Sequence, residues 1–80
     1  MLEDLLNLGP TSAGWLRGVG IASYDDLERL GSVEAFLLVA DARPEVSLNL
    51  LYALEGALRD VRWDLLPPED RADLRRRAGR

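Results

Sequence analysis

The sequence predicts an all-α fold, a compact bundle of five to six short helices in one domain that spans residues 1–80. Apolar residues recur at intervals of three and four, which is the period of an amphipathic helix, and no alternating run is long enough for a strand. Residues that cap or end helices separate these apolar stretches. Hydrophobic residues make up 48% of the chain without a long polar tract, which is typical of a globular protein.

The N-terminal half is predicted to begin with two short helices joined by a tight turn. The first should end near Asn7. Gly9 then serves as the N-cap of the second helix and Pro10 as its first residue, where a missing amide hydrogen costs nothing. Gly20 should end the second helix, with Ile21 folding back over its last turn. The first helix is marked by Leu2, Leu5 and Leu6, and the inner face of the second is formed by Ala13, Leu16 and Val19.

Serines mark the starts of the next helices. Ser23 is the predicted N-cap of the third helix, and Asp25 and Asp26 lie in its first turn, where the helix dipole favours acidic residues. Ser32 is the predicted N-cap of the fourth, which should end before Pro44 because a residue preceding proline avoids the α-helical conformation. The predicted inward faces are Tyr24, Leu27 and Leu30 in the third helix and Val33, Phe36, Leu37 and Ala40 in the fourth.

Ser47 is the predicted N-cap of the longest helix. Tyr52 lies one position off its apolar stripe, so we expect this side chain to be partly exposed. Gly56 within the stripe indicates a close approach by another helix, since glycine costs about 1 kcal/mol relative to alanine inside a helix. A linker leads to a last helix from about Pro68 to Ala78. The stripe consists of Leu50, Leu51, Leu54, Ala57, Leu58 and Val61.

The composition argues against an enzyme. Cysteine, histidine and lysine are all missing, which removes thiolate metal sites, the commonest general base and the commonest zinc ligand. Three of the four serines have a capping role, and the paired acids lie at helix N-termini. We therefore expect no catalytic residues, no metal and no cofactor, nor a small-molecule substrate. No apolar run approaches membrane-spanning length, so the expected location is the cytoplasm.

The distribution of charge is uneven, although the net charge is only −4. Residues 71–80 carry five arginines and one acid, whereas residues 1–70 carry five arginines and 13 acids. The last stretch is therefore basic and the rest of the chain acidic. Arg75, Arg76 and Arg77 either form a solvated helix end that complements the helix dipole or contact nucleic acid or an acidic partner.

The predicted turn after the first helix is a candidate phosphate site. Residues 6–13 fit a helix-hairpin-helix pattern, with Asn7 where glycine is usual; asparagine best replaces glycine in a left-handed backbone. The amides and hydroxyls of Thr11 and Ser12 are available to an anion, with Arg17 the nearest cation. Alternatively, the turn is only a tight corner. In either case Gly9→Val should destabilise the fold by a few kcal/mol, because a β-branched residue fits poorly in so tight a turn. The two tryptophans, Trp15 and Trp63, are either core and linker anchors or stacking platforms for bases.

Two stretches of the sequence resemble the C-terminal domain of the TfoX/Sxy family of bacterial competence regulators. They are residues 6–36 and 47–74, and their most specific pieces are Leu6–Gly9, Ser12-Ala13, Trp15-Leu16, Gly20-Ile21 and Asn49–Ala57. The resemblance implies an all-α, helix-hairpin-helix-like fold. It also implies a role beside the cyclic-AMP receptor protein at promoters, although the regulators carry a further N-terminal domain that this sequence lacks.

Two functional hypotheses follow. In the first, the chain is a non-enzymatic interaction module that contacts a partner protein in transcriptional regulation, or a second copy of itself through an apolar helix face. In the second, it binds DNA weakly and without sequence preference, through phosphate contacts from the turn and the arginines. The residues for partner or nucleic-acid contact are Asn7, Gly9, Thr11, Ser12, Arg17, Arg75, Arg76 and Arg77.

Overall fold

The chain forms five α-helices and two 3-10 helices, described over residues 1–80 in a computed structural model that contains no strand. The predicted all-α fold is confirmed. The first predicted helix is a single 3-10 turn, because Leu5 already takes an extended conformation. The elements are the 3-10 helix Leu2–Asp4, α1 Pro10–Gly18, α2 Tyr24–Leu30, α3 Ser32–Ala42, α4 Leu48–Arg59, the 3-10 helix Trp63–Leu65 and α5 Pro68–Arg77.

Most helix ends follow the capping chemistry of the sequence. The Ser23 hydroxyl accepts a hydrogen bond from the Asp26 amide at 3.2 Å, and the Ser47 hydroxyl accepts one from the Asn49 amide at 3.3 Å. The turn after α1 is a Schellman motif, in which the Ile21 amide donates to the carbonyl of residue 16 at 2.9 Å. Gly20 takes the positive φ of 89° that this motif requires.

The predicted cap at Ser32 is wrong, because Gly31 is the N-cap of α3. With a φ of 84°, Gly31 turns the chain directly from α2 into α3 and leaves Ser32 as the first helical residue. The Ser32 hydroxyl instead donates to Glu55 Oε1 at 2.6 Å. Arg59 donates to the other Glu55 oxygen at 2.6 Å and to Asp70 at 2.8 Å. This polar chain joins α3, α4 and α5.

The core surrounds α4, against which α3, α2 and α5 pack. Two predictions about its edges are wrong. Leu30 is 41% exposed because it is the last residue of α2, where the chain turns away from the core. Tyr52 is buried, with 7% of its surface exposed, since α5 covers that side of α4. The largest fully buried side chains are Leu2, Leu16, Ile21, Leu27, Phe36, Val39, Leu51, Leu54, Leu66 and Leu74.

None of the helices combines the length and the apolar character that crossing a lipid bilayer requires.

Candidate functional site

The turn between the first 3-10 helix and α1 is as tight as predicted. Asn7 has a φ of 74°, in the left-handed region that glycine and asparagine adopt most readily. The chain changes direction sharply here, between the first 3-10 helix and α1. We call this turn the Asn7 corner (residues 6–9). The backbone role predicted for Asn7 is therefore present.

The side chain of Asn7 has a second role, which a glycine could not fill. Its amide nitrogen donates to the carbonyl of Val61 at 2.9 Å and to that of Ala53 at 3.4 Å. Its amide oxygen accepts from the backbone amide of Trp63 at 3.1 Å. One side chain therefore fastens the Asn7 corner to α4 and to the segment after it, more than 45 residues away in sequence. These bonds use both polar atoms of the amide.

Gly56 makes this contact sterically feasible. A Cβ atom at this position would collide with the Asn7 amide nitrogen and with the carbonyl oxygen of Val61. The close approach predicted at Gly56 is therefore present, but the partner is the Asn7 corner and the chain after α4 rather than a neighbouring helix.

The start of α1 leaves two backbone donors free. Gly9 is the N-cap, as predicted, and has no side chain to accept from the first turn. Pro10 has no amide hydrogen, and the amides of Thr11 and Ser12 donate no hydrogen bond within the chain. Gly9 itself has an extended backbone, with φ −110° and ψ −174°, and open space where a Cβ would lie. The large loss expected for Gly9→Val therefore has no steric basis.

Arg17 lies in the last turn of α1, at the opposite end of the helix from Thr11 and Ser12. Its guanidinium group forms a two-pronged ion pair with Glu3, at 2.9 and 2.7 Å. The hydrogen bond from Arg17 holds the pKa of the Glu3 carboxyl at about 2, well below its usual range, and Glu3 raises the pKa of Arg17. Arg17 thus links α1 to the first 3-10 helix.

The three consecutive arginines of α5 diverge. Arg76 and Arg77 both pair with Asp73 one turn earlier, whereas Arg75 donates from Nη1 to the Tyr52 hydroxyl at 2.8 Å. Arg75 therefore packs against α4, and only Arg76 and Arg77 are the solvated pair that the sequence pattern suggests.

A cleft of about 440 Å³ opens beside the Asn7 corner. Trp15 of α1 and Trp63 of the second 3-10 helix contribute its aromatic surface; Trp15 is half-buried and Trp63 is 37% exposed. The first turns of α1 and α4 both border the cleft, at Ser12 and Asn49. The remaining lining residues are Asn7, Glu45, Val46, Ser47, Leu50 and Ala53.

Trp15 also borders a smaller hollow of about 190 Å³ between α1 and α3. There the Arg43 guanidinium lies 5.4 Å from the centre of the indole ring, a cation–π contact. The nearest carboxylate to Arg43 is Glu45, at 3.9 Å. The contact with Arg43 restrains the indole of Trp15, which also lines the larger cleft. No group of three or more acidic side chains is arranged to hold a metal ion.

The sequence model of the TfoX C-terminal domain matches residues 1–78, nearly the whole chain. The chain belongs to this family. The resemblance drawn from the sequence is therefore confirmed, and so is the helical fold that it implied. No curated protein is significantly similar to this TfoX C-terminal domain in sequence.

Two similar crystal structures come from Listeria monocytogenes, and the similarity extends along most of the TfoX C-terminal domain. One, an uncharacterized protein in a triclinic form, has a TM-score of 0.89 and 35% identity; the match covers 92% of this chain and 84% of that one. The other, a protein of unknown function in a tetragonal form, has a TM-score of 0.91 and 33% identity, with 98% and 96% covered.

The cleft of this TfoX C-terminal domain was not predicted. Trp15 and Trp63 were expected to be either core and linker anchors or stacking platforms for bases, and Glu45 and Asn49 were given no binding role. One signal was available for Trp63, because it lies outside every apolar stripe and has no helix face on which to be buried. The position of Trp63 on the cleft depends on the hydrogen bond between its backbone amide and the Asn7 side chain. No local pattern in the sequence indicates this bond, because it crosses the whole fold.

Proposed function

We propose that this TfoX C-terminal domain is a non-catalytic module that binds a partner protein in transcriptional regulation, and that the cleft between Trp15 and Trp63 receives an extended segment of that partner. The observation that carries the proposal is that two tryptophans, half-buried Trp15 and exposed Trp63, line one cleft beside the Asn7 corner. Tryptophan is among the residues that contribute most to binding at protein interfaces, and an aromatic cleft with a polar rim is the usual form of such a site.

The lining indicates the chemistry of the bound segment. The two indoles give the cleft an apolar surface, which favours an apolar side chain. A basic residue beside it would meet Glu45, whose only cation within 4.0 Å is Arg43 at 3.9 Å. The free amide of Ser12 at the rim can donate to a backbone carbonyl of the segment. The acidic charge of residues 1–70 also favours a basic segment over an acidic one.

Selection from a library of random short peptides tests this assignment. The whole chain serves as the target, and Trp63→Ala serves as the counter-target. Leu65→Ala is the matched control, because Leu65 lies in the same 3-10 helix and is 66% exposed but does not line the cleft. We expect enriched peptides that place an apolar residue next to arginine or lysine. Trp63→Ala should weaken their binding by about tenfold or more, and Leu65→Ala by less than about twofold.

The chain has only two tryptophans, and both line the cleft, so its intrinsic fluorescence reports occupancy directly. Binding without a change in this fluorescence, or equal binding by Trp63→Ala and the parent chain, would contradict the proposal. If a second copy of the chain were the occupant instead, sedimentation would show a concentration-dependent dimer that Trp63→Ala abolishes.

Direct DNA binding remains the alternative hypothesis, and the free amides of Thr11 and Ser12 are the feature that supports it. Most of the side chains expected to assist them have internal partners: Asn7 bonds to the chain after α4, and Arg17 pairs with Glu3. Of the three arginines expected to supply charge, Arg76 and Arg77 pair with Asp73, and Arg75 donates to the Tyr52 hydroxyl. Sequence-independent affinity for DNA comes mainly from several cationic side chains on phosphates. For this reason we favour a protein partner.

A further inference from the structure

The arginines of this chain fall into two groups. Seven of the ten have a carboxylate oxygen within 4.0 Å, and the other three have none. The three without a carboxylate all lie in the last ten residues: Arg71, Arg75 and Arg80. The remaining seven are Arg17, Arg29, Arg43, Arg59, Arg62, Arg76 and Arg77.

Aromatic side chains hold these three guanidinium groups. Arg71 lies 5.9 Å from the centre of the Tyr52 ring, and Arg75 donates to the hydroxyl of the same tyrosine at 2.8 Å. Arg80 lies 5.7 Å from the centre of the Phe36 ring. Arg80 lies beyond the end of α5 and contacts α3, whereas Arg71 and Arg75 both lie on α5 and contact Tyr52. We call the surface formed by Arg71 and Arg75 the α5 arginine face.

This arrangement leaves hydrogen-bonding capacity unused. A guanidinium group has five N–H donors, and a ring contact occupies its flat face rather than its edge. Arg75 uses one donor on Tyr52. Because the rings fix the positions of the guanidinium groups, an incoming oxyanion meets donors that have already lost much of their conformational freedom.

A shortage of acidic residues does not explain why these arginines lack carboxylates. The chain has 14 acids and ten arginines. Three acids lie on α5. Asp70 accepts from Arg59, Asp73 pairs with Arg76 and Arg77, and Glu69 in the first turn has no arginine within 4.0 Å. The positive charge of the α5 arginine face is therefore not neutralised within the chain.

We propose that the α5 arginine face binds an acidic, carboxylate-bearing segment of a partner protein, as a surface separate from the tryptophan cleft. Arg71 and Arg75 are one helical turn apart and share Tyr52, so one short segment can reach both. A DNA duplex fits less well, because its phosphates continue past the face along a molecule only 29 × 25 × 21 Å in extent. The acidic charge of residues 1–70 would repel them.

Binding of a fluorescent, short poly-glutamate peptide to the whole chain tests the proposal. The matched poly-glutamine peptide and a short DNA duplex serve as comparison probes. Two double variants remove equal charge from one helix: Arg71→Gln/Arg75→Gln on the face, and Arg76→Gln/Arg77→Gln on the arginines that already pair with Asp73. We expect the first to weaken poly-glutamate binding by about tenfold and the second by less than about threefold.

Thermal unfolding of each variant shows whether it is folded at the temperature of the titration. If Arg71→Gln/Arg75→Gln does not fold, the single variant Arg71→Gln takes its place, with an expected weakening of about threefold. Equal losses in the two double variants would overturn the proposal. So would equal binding of poly-glutamine, or tighter binding of the duplex than of poly-glutamate.

Discussion

The Asn7 corner and helix α5 are attached to the same helix, α4, by different means. At the corner, one side chain makes three hydrogen bonds to backbone groups of α4 and the segment after it. On α5, Leu74 and Ala78 are buried, and Arg75 reaches the hydroxyl of Tyr52. The side-chain amide of Asn7 has internal partners for both of its polar atoms, whereas the two arginines on Tyr52 keep free donors.

This difference separates structural from functional roles. A polar group whose hydrogen bonds are all made within the chain defines the fold and has little left for a ligand. Groups that are held in place but not saturated can bind one. Among the residues that the sequence suggested for a phosphate site, Asn7 is of the first kind, and the charge of Arg17 is paired with Glu3. The arginines on Tyr52 are of the second kind.

Removing the apolar anchor of α5 should have the largest effect on stability. Leu74 is 1% exposed, and Leu74→Ala should lower the free energy of unfolding by about 3 kcal/mol, as truncation of a buried leucine does. Arg75→Gln should cost less than about 1 kcal/mol. Chemical denaturation of both variants measures the difference; a larger loss for Arg75→Gln would show that the arginine, not the apolar contact, holds α5.

Gly56→Ala tests how tightly the corner is fitted. The added methyl group would collide with Asn7 and with the backbone carbonyl of Val61, which cannot move without shifting the chain after α4. We expect a loss of about 2 kcal/mol. Gly14→Ala is the control, because it lies within α1 with open space around it and should gain about 0.5–1 kcal/mol. Losses of similar size at both positions would argue against a close contact at Gly56.

Variants of Asn7 separate its backbone role from its side-chain role. Asn7→Gly removes the three hydrogen bonds but tolerates the φ of 74°, and should cost about 1–2 kcal/mol. Asn7→Ala adds the strain of a left-handed alanine and should cost about 1 kcal/mol more. Urea denaturation of the two variants measures the free-energy cost of losing the hydrogen bonds and the cost of the backbone strain. An unchanged stability for Asn7→Gly would mean that asparagine acts at the corner only as a substitute for glycine.

The ion pair between Glu3 and Arg17 should make the stability depend on pH in acid. The pKa of Glu3 in the folded chain is about 2, below the ordinary value of 4.5, so the pair stabilises the fold above pH 4.5. This contribution is lost as the pH falls from 4.5 towards 2. The difference in unfolding free energy between the parent chain and Glu3→Gln should shrink over that range. A difference that stays constant would contradict the assigned pKa.

Gly9→Ser should have the smallest effect, and in the opposite direction. Gly9 has the extended backbone of an N-cap and room for a side chain. A serine hydroxyl there can accept from the amide of Thr11 or Ser12, as the Ser23 hydroxyl accepts from Asp26. We expect a gain of about 0.3 kcal/mol in thermal denaturation. A marked loss of stability would show that the corner is more crowded than its geometry indicates.

The sequence predicted the helices well because the spacing of apolar residues and the capping of helix ends depend on residues that are close together in the chain. Ser23, Ser47 and Gly20 were assigned their observed roles from a few neighbouring residues each. Ser32 was not, because glycine and serine adjoin there and the choice of cap depends on the sharp turn between α2 and α3. Tyr52 was misjudged because the helix that covers it comes 16 residues later in the chain.

The candidate site was harder to predict because its contacts cross the whole chain. The left-handed backbone of Asn7 follows from residue type, but its bonds to Val61 and Trp63 link residues more than 50 positions apart. The same contact brings Trp63 to the cleft. The pairing of Arg17 with Glu3 also depends on the corner, which returns the first 3-10 helix to the side of α1.

Titration of the labelled chain with a short DNA duplex at about 50 mM salt, followed by nuclear magnetic resonance of the backbone amides, tests most directly whether the Asn7 corner is structural. We predict that the amide signals of Thr11 and Ser12 stay in place throughout the titration. Movement of both signals, with an affinity that falls steeply as salt is added and is reduced in Arg17→Gln, would identify the corner as a phosphate clamp and contradict the account.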